Sequence, residues 1–207
     1  SGDEWYFWCR RTGRGDLDSA RKLMQSYLQA GWIATTLDGQ LKLLTYHLLE
    51  NNPKAALESA RKAVELAGKD LLGNANTEYE QLHLAFIARE LKQKDIEDAA
   101  LKEIRRVSEE FRTKHPHFSA TNVAICDILE GKTPSDDVLA TIDQYIEKQP
   151  KEVRCNCEYF IGRAFDLAGD KDKAENYWKR CVTRGPFDRY NATLAGKYLC
   201  DRHKTSR

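Results

Sequence analysis

Cysteine and histidine are the side chains here best able to do chemistry, and their spacing limits what kind. Cys155-Asn156-Cys157 places two thiols one residue apart. A redox pair normally uses a two-residue spacer at a helix start, where the dipole lowers one thiol's pKa; a zinc site needs a second such pair or added histidine. On a helix the two sulfurs would point to different sides, so thiol redox or metal chemistry at Cys155 and Cys157 is the least favoured function. Cys181 falls on an apolar stripe and reads as core, because a buried thiol behaves as a small hydrophobe. His115-Pro116-His117 reads as a turn between helices, and His47, His83 and His203 stand without a Ser or Cys at dyad spacing. Thr12-Gly13-Arg14-Gly15-Asp16 lacks the preceding strand and the Gly-Lys-Ser/Thr ending of a phosphate loop, and its Arg-Gly-Asp reads as a turn. No catalytic residue, metal or cofactor is expected, and the chain reads as non-enzymatic.

The elements that must position these groups are foreshadowed by composition. The chain has 207 residues, 33 Lys and Arg against 32 Asp and Glu, and a formal charge of +1. That balance gives no general pull toward nucleic acid or anionic lipid. Only 12 Gly and 5 Pro interrupt it, and 31% of residues are charged. No apolar run approaches the ~20 residues of a membrane span, so no membrane insertion is expected. Six scattered cysteines (Cys9, Cys126, Cys155, Cys157, Cys181 and Cys200) fit reduced thiols better than the framework of a small secreted domain, which favours the cytoplasm. Ser1-Gly2 resembles a protease-cleavage scar and no Met begins the chain, so it reads as a piece of a larger protein.

Helical periodicity recurs throughout. Ala174, Tyr177, Trp178, Cys181 and Val182 fall at i, i+3, i+4, i+7 and i+8. Ile96, Ala100, Ile104, Val107 and Phe111 form a second stripe, and Leu17, Ala20, Met24, Tyr27 and Leu28 a third. Two more are Ala56, Ala60, Ala63, Val64 and Ala67, and Val138, Ile142, Tyr145 and Ile146. Asn52-Pro53 and Thr133-Pro134 read as helix starts, with a capping side chain before proline at the first helical position. Gly15-Asp16, Gly131-Lys132 and Gly169-Asp170 read as helix ends, and Gly185-Pro186 as a stop. No sustained period-two alternation marks a strand, so the fold class is all-α.

Ala20, Ala56, Ala100 and Ala174 open the second helix of each expected pair and are separated by 36, 44 and 74 residues, as in a helix-hairpin repeat. In residues 155–186 the run Ile161-Gly162, Phe165, Gly169, Ala174, Trp178, Cys181 and Pro186 resembles the tetratricopeptide repeat. Gly162 and Ala174 would be the small positions of close helix approach, with Phe165 and Trp178 filling the space beside them. Ala192, Ala195-Gly196 and Leu199 repeat the first-helix pattern 34 residues on. The resemblance implies a right-handed superhelical α-α solenoid, one domain over residues 3–207. Its units would be 3–33, 36–68, 76–113, 117–148 and 151–186, with a closing helix at 187–203.

In that family first helices line a concave groove, which implies a protein- or peptide-binding module. The groove set here would include Trp5, Cys9, Arg89, Lys92, Tyr159, Arg163, Asp166, Tyr190 and Lys197. This cationic and aromatic set would suit an acidic protein or peptide partner. Trp5, Tyr6, Phe7 and Trp8 cannot all face one core, so they form an end cap or a face that something covers. The alternative function is therefore structural: a homo-oligomer assembled through its solenoid ends.

Overall fold

The computed structural model describes residues 22, 24–26, 28, 29, 31, 35–68, 78–184 and 190–205. Among the described residues there are helices and no strand. Residues 22, 24–26, 28 and 29 are helical, and the helices that follow them in chain order are α1 (Leu37–Leu49), α2 (Pro53–Ala67), α3 (Glu78–Glu90), α4 (Lys94–Phe111), α5 (Pro116–Leu129), α6 (Asp136–Glu147), α7 (Lys151–Ala168), α8 (Lys171–Arg184) and α9 (Tyr190–Thr205). None of them is long and apolar enough to cross a membrane.

Local chemistry sets the helix starts. The Thr36 hydroxyl accepts from Gly39 N at 3.1 Å to open α1, and Asn52 Oδ1 accepts from Ala55 N at 3.2 Å ahead of Pro53 to open α2. Thr133-Pro134 does not start a helix: Ser135 caps α6 instead, its hydroxyl 3.4 Å from Val138 N. Ile142 and Ile146 of the expected α6 stripe are buried, but its first buried member is Leu139, and Val138 is exposed.

One turn ends α1, α3, α5 and α7 alike. Asn51, Lys92, Gly131 and Gly169 take positive φ of 54°, 57°, 82° and 92°. In each case the next residue's N–H reaches back to a carbonyl in the last turn: Asn52 to His47 and Gln93 to Ala88 at 2.8 Å, Lys132 to Asp127 and Asp170 to Phe165 at 2.9 Å. This double-bonded ending satisfies carbonyls the helix leaves open and reverses the chain into the next helix.

Helices α1 and α2, α3 and α4, and α7 and α8 pack closely as pairs, whereas α5 lies mainly against α4 and α7 and touches α6 only slightly; α2, α4 and α8 each also touch the helix that follows. The stack does not stay linear. Helix α7 touches α3, α5, α6, α8 and α9, and α9 returns to α1. Enclosure explains why Cys155 and the whole of Cys157–Phe165 are buried, leaving α7 no hydrophilic stripe along that stretch. The core runs continuously through Leu44, Ala60, Phe86, Ile104, Ile125, Ile142, Phe160 and Trp178.

Candidate functional site

Arg163 lies in the last turns of α7 with a side chain only 3% exposed. Its guanidinium pairs with Glu90 at the end of α3 and with Asp166 at 2.5 Å on its own helix. It also stands 4.4 Å over the ring of Tyr198 in α9, which stacks on Trp178 with centroids 5.1 Å apart. Burial by itself would lower the arginine's pKa, but the surrounding Tyr198, Glu90, Tyr159 and Asp166 outweigh it and the net shift is upward. The charge is therefore permanent, and it joins three helices. Burial raises the phenol of Tyr198 to about 12 and holds Tyr159 well above its ordinary value, so both stay neutral.

A second polar layer continues the seam. His83 of α3 sits edge-on to Phe160 with centroids 5.0 Å apart, and 5.7 Å from Tyr159. Burial pushes its pKa down to about 3, with Asn191 working the other way and Arg163 adding to the fall. A neutral imidazole this resistant to protonation is a poor general base at neutral pH. Asn191 Nδ2 in α9 donates to Asn156 Oδ1 in α7 at 2.9 Å.

The residues expected to line a groove are thus distributed unevenly. Tyr159, Arg163, Asp166 and Lys197 do converge, all around Tyr198; Lys197 Nζ lies 5.3 Å from that ring and pairs with Asp201. The expectation that Tyr159 and Arg163 face an open groove is corrected: α3 and α9 cover them, and they are 1% and 3% exposed. Arg89 donates to Glu97 at 2.9 Å and to the Leu129 carbonyl, strapping α3 to α4 and to the end of α5. Lys92 is exposed in the turn after α3. Tyr190 hydrogen-bonds Asp38, joining α9 to α1. Trp5 and Cys9 lie outside the described residues.

Tyr198 and Glu90 were missed. Tyr198 carried a signal, since Asn191, Leu194, Ala195 and Tyr198 fall at i, i+3, i+4 and i+7; Glu90 carried none.

Four of the thiols are enclosed. Cys126, Cys155, Cys157 and Cys181 are buried and free, and Cys200 is exposed. Burial pushes Cys126 and Cys157 up to about 12. Among the described residues no three His, Cys, Asp or Glu side chains are grouped to hold a metal ion. His115 is exposed at the cap of α5. Comparison with known proteins finds no matching family model, no matching curated protein and no matching solved structure.

Proposed function

We propose that the chain is a non-enzymatic protein-interaction module built from tetratricopeptide-like helical hairpins, taking an acidic peptide or protein partner. The observation that carries this reading is the division of labour among its cations. Arg163 is committed to the interior, whereas Lys92 stands exposed in a turn that Arg89 straps to the end of α5. With α3 and α9 covering the inner face of α7, the partner surface on this reading is the rim formed by the α3–α4 and α5–α6 turns. Lys94 and Lys132 add exposed cations there, each already sharing an acidic neighbour, with Nζ 2.7 Å from Asp98 and from Glu130. A rigid rim lowers the ordering cost of association.

Assembly through the solenoid ends has less support, because the start of α9 is already engaged by Asp38 of α1. The test is fluorescence anisotropy with labelled acidic peptides on the intact chain. Lys92→Glu with Lys94→Glu is expected to weaken binding roughly tenfold, with a steep loss at raised salt. Peptide affinity that ignores both changes would remove the rim from the proposal.

A further inference from the structure

The seam between α7 and α8 brings two thiols together that lie 26 residues apart in sequence. Cys155 Sγ and Cys181 Sγ are 2.8 Å apart, and Cys181 Sγ also lies 3.3 Å from the Cys155 carbonyl oxygen. Both residues are 0% exposed. Two non-bonded sulfurs ordinarily rest farther apart than this, while a disulfide needs about 2.05 Å.

The helix register explains the approach. Gly162 of α7 faces Trp178 and Ala174 of α8, and the missing side chain lets the helices come close. Moving two turns back along α7 reaches Cys155, and two turns forward along α8 from Ala174 reaches Cys181. The antiparallel register therefore brings the two cysteines opposite each other on the same close seam.

We propose that Cys155 and Cys181 are a redox-responsive pair, closed to a disulfide by a small peroxide, so that oxidation staples α7 to α8. One thiolate attacks a peroxide oxygen; the O–O bond breaks, hydroxide leaves, takes up the thiol's proton as water, and a sulfenic acid remains. The second sulfur attacks that sulfenic sulfur, the S–S bond forms, the S–O bond breaks, and a second water leaves with the remaining proton. Hydrogen peroxide is the oxidant and is reduced to two waters. Burial excludes bulky disulfide reagents, and Cys181 is held well above its usual pKa by its Cys155 contact and by burial, so closure is slow and follows local opening of the seam. This pairing is independent of the interaction reading.

The test exposes the folded full chain carrying Cys200→Ser to hydrogen peroxide, then denatures and alkylates it and digests it with trypsin. Cleavage after Arg154 and Arg180 releases Cys155–Arg163 and Cys181–Arg184. The expected product is these two peptides joined, two hydrogens short, with Tm raised by roughly 5–10 °C and restored by reductant. The link should persist in Cys157→Ala; if that variant does not fold, fragmentation between Asn156 and Cys157 of the linked peptide assigns the sulfur. Recovery of both peptides alkylated would overturn the proposal. So would a link from Cys157, or one that forms only in unfolded protein.

Discussion

Gly162 has no room for a side chain opposite Trp178. A Cβ there would fall 2.6 Å from the indole Cδ1 and 3.2 Å from the Ala174 carbonyl oxygen, and the indole is fixed by full burial and by its stack on Tyr198. Gly162→Ala gains helix propensity yet should destabilise the protein by about 1–3 kcal/mol, because the clash exceeds the gain. Gly196→Ala is the control: its nearest obstacle is Val182 Cγ2 at 4.0 Å, so stability should rise by about 0.5–1 kcal/mol. Urea denaturation of the two variants checks the contrast, and a stabilised Gly162→Ala would contradict the close approach.

Removing Arg163 takes the buried cation away from Glu90 and from the Tyr198 face, while Asp166 keeps Lys171 Nζ at 2.6 Å. Arg163→Ala is expected to cost about 2–4 kcal/mol, and Arg163→Lys should recover only part of it, since an ammonium cannot serve Glu90, Asp166 and the Tyr198 face together. Arg106→Ala breaks a pair with Glu103 on the open surface and should leave the thermal midpoint almost unmoved. Comparable losses at both positions would show that enclosure around Tyr198 adds nothing.

Two buried groups should oppose each other in the pH dependence of stability. Burial raises Glu80 to about 7, so the fold binds a proton there that the unfolded chain releases from about pH 4.5; stability falls as pH rises from there to about 7. His83, lowered to about 3, acts in the other sense. The unfolded chain takes up its proton below about pH 6.5, and stability falls as pH drops from there toward 3. Between about 4.5 and 6.5 the two slopes cancel. Glu80→Gln should therefore make stability climb with pH across that interval relative to the parent, and His83→Gln should make it decline. Denaturant titrations at several pH values read the slopes directly, and unchanged slopes would mean that neither group is shifted.

Lys92 occupies a left-handed conformation that costs an ordinary residue about 1–2 kcal/mol. Lys92→Gly should relieve part of that cost and raise stability by about 0.5–1 kcal/mol, despite the extra freedom of the unfolded chain. Gly169→Ala at the equivalent turn should lower it, because φ there is 92°. Differential scanning calorimetry distinguishes the two signs.

Legibility in the sequence followed exposure. Helices α2, α4 and α8 each carry a solvent face, so Ala56, Ala60 and Ala63, then Ala100, Ile104 and Val107, then Ala174, Trp178 and Cys181 announce themselves by spacing and are buried. Enclosed on several sides, α7 has no such contrast along its middle, and nothing in its pattern says that Tyr159 and Arg163 are covered. Glycine marked the ends of α5 and α7, and Asn51 is the other residue type that takes such a turn readily, but the same turn built on Lys92 left no residue-type signal. At the site, Arg163, Asp166 and Lys197 were legible as polar residues on helical stretches, which the structure places in α7 and α9. Their convergence on Tyr198 depends on α9 folding back, a long-range event that local periodicity does not encode.

The meeting of Tyr190 with Asp38 spans most of the described chain. In a linear array each hairpin answers only to its neighbours, and ends can melt while the middle holds. Here α9 leans on α1 and α7 touches both later and earlier helices, so loss of α1 or of α9 withdraws support from the centre. Such a chain must close a large loop before its final contacts form, which slows folding and couples the hairpins into a single cooperative transition.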